Sequence, residues 1–459
     1  MPGELSPSEA VLEPPLAGTR GDEAAPAVDQ PALRRRVINL AWPVISENFM
    51  QTLLGITDTV MVARLGPEAL AGVGAAIQLM FFVISALSAT SVGSSVLVAQ
   101  AVGARDLGRA SRLAKQSLVW SIFISIPLVL LGLFAAEPLI AIFGMEPAVT
   151  AIGVDYLRVT MGTVVVLTLS LLGGGVLRGV GDSRTPMVIS MIANVINVVV
   201  SYGLIFGTLG MPELGAVGSA WGTFVARAIG FGILFVVMWR GVNGISIRGA
   251  GGWLPDFPLA RQILQIGIPA AAEQMLNSVA FLSMSIIVAH LGTLALAAHR
   301  IAMNAMSISF LPGLGFAIAA TALVGQSVGA RRYHEGQAVA RIATTWAAIW
   351  MGALGIVFFA VPELVLRIFT DDPEVMAQGA AGLRAIALTQ TGDSQYPLRV
   401  GTSSIWVAVI LGGLLNTWLG GGLTTIWGAF LVTSPVNALL LWRRFRSSIT
   451  RLPALKAPD

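Results

Sequence analysis

Three polar residues lie on one face of the first long apolar segment of this sequence. Glu47 and Gln51 are four residues apart, and Asp58 follows seven residues later, so a helix with 3.6 residues per turn places all three on one side. At a rise of 1.5 Å per residue the two carboxylates lie about 16 Å apart along the axis, which excludes a catalytic acid–base pair. Carboxylates inside membrane spans are costly and mark ion or substrate pathways. The spacing therefore predicts two separate binding positions.

Asp58 is the candidate for reversible cation binding. Shelter from water disfavours the charged form of a carboxyl, so a sheltered Asp58 would bind and release a proton near neutral pH. Asn194 and Asn197 are one turn apart in the fifth apolar segment and could supply ligands to an ion near Asp58, although hydrogen bonds between helices are an equally good interpretation. The alternative for Asp58 is a hydrated position near the outer end of its helix.

The segments that carry these residues belong to a membrane protein. Of 459 residues, 55% are hydrophobic and 11% are charged, against roughly 25% charged in soluble domains, which excludes a cytosolic enzyme. The sequence has no cysteine and three histidines, so a thiolate metal site is excluded and a histidine metal centre or a serine hydrolase is disfavoured. It also has no Walker-type phosphate-binding motif. We expect no metal and no cofactor apart from a coupling ion.

Twelve apolar segments are long enough to cross a hydrocarbon core of about 30 Å, although the tenth is short. They are residues 37–63, 73–100, 116–135, 150–177, 187–207, 216–239, 265–289, 295–328, 340–361, 374–390, 400–419 and 424–442. Lys and Arg gather on one side of these segments, in groups such as 34–36, 105–115, 178–184, 331–332 and 443–446. We therefore predict an all-α polytopic membrane protein with both termini in the cytoplasm, in contact with lipid and not with nucleic acid.

The order of the segments predicts five regions. Residues 1–33 are expected to form a disordered cytoplasmic tail, because they contain no apolar run, and 34–240 an N-terminal lobe of six helices. A glycine-rich cytoplasmic linker at 241–261 leads to a C-terminal six-helix lobe at 262–446, and a tail follows at 447–459.

The two lobes are copies of one another at an offset of 226 residues. Pro43 matches Pro269, and the sequence VGAR occurs at 102–105 and at 328–331. Because each copy has an even number of spans, the lobes should be related by a pseudo-two-fold axis along the membrane normal and enclose a cavity. After Arg384 the offset falls to 211, so the second copy has lost 15 residues. Its span at 373–390 is predicted to be short.

Polar residues of both copies are candidates for a substrate cavity. Glu273 and Asn277 occupy the repeat positions of Glu47 and Gln51, whereas Met284 stands where the first copy has its aspartate. The two glutamates could face each other across a central cavity lined by all four polar residues. Alternatively, each glutamate could stabilise its own lobe.

Three further residues inside the spans suggest specific roles. Pro43 leaves a main-chain carbonyl without its helical donor and could act as a hinge or form a static kink. Arg227 and Arg300 are predicted to extend towards the lipid interface or to pair with an acid.

Several stretches resemble the multidrug and toxic compound extrusion (MATE) transporters, most closely their DinF-like bacterial members. These stretches are GITDTVMVARLG at 55–66, VAQAVGA at 98–104 and LRGVGD at 177–182, together with their repeat copies. The resemblance covers about 37–446 and implies twelve helices in two six-helix lobes that form a V. It also implies export of small organic compounds, often cationic or amphipathic, in exchange for H⁺ or Na⁺ across a bacterial inner membrane. We expect a monomer that is not an enzyme.

The resemblance also implies roles for individual residues. Asp58 matches the family's first-span aspartate, which is implicated in cation binding, Pro43 matches its bending proline, and Asn197 matches an asparagine near that site. Ser201 stands where related sequences often have an acid, and the lost stretch removes a carboxylate that some members use. Both departures favour H⁺ over Na⁺ as the coupling ion.

Two other functions remain compatible with the sequence. A lipid-linked saccharide flippase of the same superfamily would share the fold, but it is expected to have a basic cavity for pyrophosphate. The shortened span at 373–390 is also compatible with a transport-impaired paralogue or a non-transporting membrane scaffold.

Overall fold

The structure is a computed structural model that describes residues 29–249, 251–289, 291–367, 373–390, 409–411, 413–416 and 418. Within these residues the chain is helical apart from turns, short irregular segments and one isolated bridge between Val242 and Ile245. The helices are α1 (Gln30–Ala63), α2 (Pro67–Gly103), α3 (Leu107–Ala141), α4 (Pro147–Gly162), α5 (Val164–Val180), α6 (Arg184–Phe206), α7 (Ala216–Arg240), α8 (Phe257–Ala289), α9 (Thr293–Gly329), α10 (Tyr333–Ala360), α11 (Pro362–Leu366) and α12 (Pro373–Gln390). Most of the two predicted tails and of the last two apolar segments lies outside the described residues.

Two helices begin about one helical turn before the residues at which we placed the lobe boundaries. The side chain of Asp29 accepts a hydrogen bond from the main-chain N–H of Ala32 and caps α1, so residues 30–33 are helical although we assigned them to the tail. Asp256 accepts from the N–H of Leu259 in the same way at the start of α8, so residues 257–261 belong to this helix and not to the linker. Capping carboxylates satisfy the free N–H groups of a first turn and so extend both helices.

Seven of the described helices are long and apolar enough to cross a membrane, and the bent pair α4–α5 is an eighth candidate. The first helix is absent from this group although it has 34 residues. Its polar face, with Glu47, Gln51 and Asp58, lowers its mean hydropathy. A helix of this composition needs protein or water beside that face.

The two copies of the repeated sequence also have matching backbone conformations. The helices α2 and α9 both have 37 residues and begin 226 positions apart. The turns before them contain Gly66 and Gly292 at φ of 113° and 104°, and the turns after them contain Arg105 and Arg331 at φ of 60° and 59°. Since positive φ is uncommon for arginine, its recurrence shows that the two copies fold alike here.

The fourth span of the first lobe is broken. We predicted one segment at 150–177, but the chain bends by 48° between α4 and α5, at Thr163. Gly162 precedes the bend and three consecutive valines follow it, a combination that weakens helix formation. The hydroxyl of Thr163 bonds the carbonyl of Val159.

The sequence of the second lobe lacks a counterpart for the second half of this broken span. Its helix α12 corresponds to α4 and remains helical to Gln390, so the 15 lost residues fall on the counterpart of α5, which has 17. With 18 residues, α12 is about 27 Å long. Arg384 of α12 pairs with Glu363 of α11 at an N–O distance of 3.1 Å.

The two lobes meet tightly at the end of the molecule that carries Arg36, Arg105 and Arg331. A methyl group added to Gly103 of α2 would overlap the main-chain carbonyl of Gln326 in α9, and one added to Gly329 would overlap the carbonyl of Gln100. These four residues form two repeat-related pairs. We call this reciprocal contact the basic-end joint.

The guanidinium of Arg36 in α1 makes polar contacts at the same joint. It donates to the side-chain oxygen of Gln326 at 3.1 Å and pairs with Glu335 of α10 at 3.3 Å. The amide nitrogen of Gln326 in turn donates to the carbonyl of Gly179 at 2.9 Å. Polar contacts therefore connect both lobes at this end.

Candidate functional site

A cavity of about 380 Å³ contains the polar face of α1. It is formed by helices of the first lobe, namely α1, α2 and α4 to α7. Glu47, Gln51 and Asp58 line it, so the polar face of α1 points into the protein. Most of the remaining wall is apolar and includes Leu54, Ile77, Met80, Phe81, Leu167 and Leu171.

At one end of the cavity, an ion pair leaves neither carboxylate oxygen of Glu47 without a partner. Arg178 of α5 lies 3.2 Å from Oε2 of Glu47, and both side chains are largely buried. The hydroxyl of Ser190 in α6 donates to Oε1 of the same carboxylate at 2.9 Å. The charge of Glu47 is thus balanced locally, and its carboxylate connects α1 with α5 and α6.

Polar groups without direct partners lie farther along the same cavity. The Oδ1 atom of Asp58 is buried and has no hydrogen-bond partner among the described residues, and the same holds for Nδ2 of Asn194. Arg227 of α7 and Tyr156 of α4 line this region and interact electrostatically with Asp58. No ion pair within 4.0 Å joins Asp58 to Arg227 in the described structure.

Asn197 is held between helices. Its amide nitrogen donates to the hydroxyl of Thr223 in α7 at 3.0 Å, and its amide oxygen accepts from Ser201 at 3.3 Å. Ser201 is fully buried, packs against Gly222 and does not line the cavity. Of the two interpretations of Asn197, the hydrogen bonds support helix packing, although this residue also contributes to the cavity wall.

The second-lobe candidates lie elsewhere. Glu273 and Asn277 are half-buried in α8 and do not line this first-lobe cavity. A central cavity shared by all four polar residues stays a prediction. Glu47 is oriented by Arg178 of its own lobe. The counterpart of Arg178 is among the 15 residues that the second copy has lost, so Glu273 has no repeat-equivalent arginine to pair with.

Pro43 is buried in α1, close to where α9 crosses it. A methyl group added to Gly315 of α9 would overlap the side chain of Ile45 and come within 3.4 Å of the carbonyl of Ala41. The proline thus sits beside an interlobe contact, and its role as a hinge stays a prediction.

Sequence reasoning missed Arg178 as a cavity residue and left the position of Arg227 open. We grouped Arg178 with the cytoplasmic loops and assigned Arg227 either to the lipid interface or to an acid, but both line the cavity. Arg227 lies one turn after Thr223, the partner of Asn197, and this spacing was the available signal. The side chain of Arg300 lies outside the described part of the structure.

A family model described as MatE matches residues 43–203 and 269–399, which cover both repeats. The chain belongs to the MatE family. Members of this family are transporters and not enzymes, so the MatE protein described here is a multi-pass membrane transporter.

Relatives of this MatE protein carry multidrug-resistance names. The probable multidrug resistance protein NorM of Thermotoga maritima is 31% identical over 421 residues, which are 86% of this chain and 90% of the relative. The multidrug resistance protein NorM of Burkholderia vietnamiensis is 27% identical over 450 residues, covering 91% and 95% of the two chains. The closer likeness to DinF-like members stays a prediction.

Solved structures show the same fold. An outward-facing multidrug resistance MATE transporter of the MOP superfamily superposes with a TM-score of 0.84 at 21% identity, over 92% of this chain and 97% of the other. A MOP superfamily transporter from Pyrococcus furiosus, described by the reverse polarity of its binding pocket, superposes with a TM-score of 0.80 at 22% identity. The match covers 92% of this chain and 97% of the other. The predicted all-α architecture of two six-helix lobes is confirmed.

Proposed function

We propose that this MatE protein exports amphipathic small organic compounds in exchange for a proton that binds at Asp58. The observation that carries the proposal is a carboxyl in the first-lobe cavity with a buried oxygen that lacks a hydrogen-bond partner in the described structure. A carboxyl held in this way can take up a proton without breaking an ion pair. The carboxylate of Glu47 differs, because Arg178 and Ser190 already bind its two oxygens.

The surroundings of Asp58 favour a proton over sodium. Hard metal cations take several oxygen ligands, whereas the amide oxygen of Asn197 already accepts from Ser201. The guanidinium of Arg227 lines the same cavity, and its positive charge disfavours a second cation beside Asp58. A proton is bound covalently by the carboxyl and needs no further ligands.

The transport cycle that we propose is alternating access between the lobes. The basic-end joint holds the lobes together on the side that we assign to the cytoplasm, and it must open for substrate to enter from that side. One charge moving through 100 mV supplies about 2.3 kcal/mol, roughly a fiftyfold substrate gradient. A pH gradient adds to this driving force. In this scheme the transporter acts as a monomer in a bacterial inner membrane.

The cavity supports small apolar substrates better than a lipid-linked saccharide. Its volume of about 380 Å³ is within the usual range for small ligands, and NorM relatives are named for multidrug resistance. A pyrophosphate would need several free cations, whereas Arg178 is already paired with Glu47. Arg227 is the remaining arginine of this cavity.

The test uses purified protein in liposomes loaded with a fluorescent cationic dye. An imposed pH gradient should drive dye movement by the wild type, and an equal sodium gradient should not. Asp58→Asn should abolish the pH-driven movement, because an amide cannot bind the proton. The matched control is Asp155→Asn, which alters an exposed aspartate of the same lobe and should transport normally. Normal pH-driven transport by Asp58→Asn would reject the proposal.

A further inference from the structure

We propose that Arg227 binds an acidic group of the transported compound, and that the preferred substrates are therefore amphipathic zwitterions. This inference rests on the proposed function and specifies its substrate class. Arg227 lines the same cavity as Asp58. Neither side chain makes a direct ion pair among the described residues, and Oδ1 of Asp58 has no hydrogen-bond partner there. The cavity thus presents one acid and one base that a ligand could bind.

The other two charges in the cavity are unavailable to a ligand. Glu47 and Arg178 neutralise each other at 3.2 Å, and Ser190 occupies the second carboxylate oxygen. Recognition of charge therefore falls to Asp58 and Arg227. A guanidinium presents five N–H donors in a plane, which matches a carboxylate or a similar monoanion.

Charge balance distinguishes three classes of substrate. A simple cation is attracted by Asp58 but repelled by Arg227. A simple anion would bind Arg227 more strongly once Asp58 is protonated, which would couple the two fluxes in the same direction and not in exchange. A zwitterion can place its cationic group near Asp58 and its acidic group near Arg227. When Asp58 is protonated, the cationic group loses the negative charge that it paired with. Only this class both satisfies the two charges and competes with the proton.

A zwitterion also brings no net charge into the membrane. With both ion pairs formed, the cavity and its ligand are neutral together, so burial of an uncompensated charge is avoided. The apolar wall around Met80, Phe81 and Leu171 suits an aromatic or aliphatic body between or beside the two charged groups. An amphipathic amino acid-like compound is the expected shape.

The experiment compares tetramethylrhodamine, a zwitterion, with its methyl ester, which keeps the cation and loses the acid. Binding of each dye to the full-length protein in detergent is measured by fluorescence anisotropy. The wild type should bind the zwitterion more tightly than the ester. Arg227→Gln should weaken zwitterion binding roughly ten- to a hundredfold and leave ester binding equal or tighter, whereas Arg227→Lys should retain part of the preference. The control Arg158→Gln, outside the cavity, should change neither dissociation constant.

Two results would overturn the inference: a wild type with no preference for the zwitterion, or an Arg227→Gln variant that weakens both dyes equally. The first result does not depend on the folding of any variant. Because binding is measured without a proton gradient, a wild type that prefers the zwitterion but shows no pH-driven transport would support the role of Arg227 and count against the proposed exchange alone.

Discussion

Gly103 and Gly329 hold equivalent positions in the two lobes, and each lies directly against the main chain of the other lobe, at Gln326 and Gln100. An added methyl group would force the two helices apart at either position. Overpacking of this kind typically costs about 1–3 kcal/mol. This free-energy cost destabilises the arrangement in which the basic-end joint is closed.

We predict that Gly103→Ala and Gly329→Ala each favour the arrangement with this joint open, by roughly five- to a hundredfold. Because the chain has no cysteine, a single Ser327→Cys, at a buried position beside the joint, reports opening through its rate of thiol labelling. Labelling should rise in both glycine variants. Gly74→Ala, in the same helix as Gly103 but with nothing near the added methyl, should leave it unchanged. Unequal effects of the two joint variants would contradict the reciprocal contact.

The ion pair between Glu47 and Arg178 should stabilise the first lobe in a way that exposed pairs do not. Glu47→Gln leaves the buried guanidinium of Arg178 without its partner, and we expect a loss of about 3 kcal/mol and a lower apparent melting temperature in detergent. Replacing both residues, Glu47→Gln with Arg178→Leu, should restore part of the loss. Asp155→Asn breaks the exposed pair with Arg158 and should change stability by less than about 1 kcal/mol. Equal effects of the buried and the exposed pair would refute the prediction.

The sequence predicted the polar face of α1 correctly because helical spacing is a local property. Glu47, Gln51 and Asp58 line one cavity, as their positions on one side of a helix require. The partners of Glu47 were not predictable, because Arg178 lies 131 residues away in sequence, on the helix that follows the bend after α4. That bend depends on packing as well as on composition.

Repeat comparison predicted the shape of the second lobe in outline, including its shortened span. It also suggested that Glu47 and Glu273 act alike, which the structure does not support for the cavity. A repeat preserves backbone position, but the role of a carboxylate depends on its neighbours, and the lost stretch removes the helix that supplies Arg178 in the first lobe. Local sequence patterns therefore identified the helices, whereas tertiary contacts determine which side chains line the cavity.

Lys115 should hold the linker against the first lobe. Its ammonium donates to the carbonyls of Arg248, Gly249 and Gly251 at 2.7–3.1 Å. Lys115→Met removes these bonds, each worth about 1.5–3 kcal/mol as a charge-assisted contact, and should raise the rate of tryptic cleavage after Arg248 at least tenfold. Arg112→Gln, which loses a more exposed ion pair beside the linker, should cleave nearly as slowly as the wild type. Unchanged cleavage of the Lys115 variant would show that other contacts hold the segment.

The lost stretch of the second lobe should be dispensable for transport. The cavity is lined by residues of the first lobe, so inserting a copy of residues 165–179 after Gln390 should not raise pH-driven dye transport in liposomes. An insertion of equal length made of glycine and serine serves as the control for chain length. A transport rate that rises from near zero with the helical copy alone would identify the natural protein as an impaired transporter.

The basic-end joint makes each copy depend on the sequence of the other where they meet. A larger side chain at Gly103 or at Gly329 would displace the main chain of the opposite copy, so a change at either position affects both copies. The residues that line the cavity around Asp58 all belong to the first lobe. A duplicated chain of this design can lose residues from one copy away from the joint and still keep matched surfaces where the two copies meet.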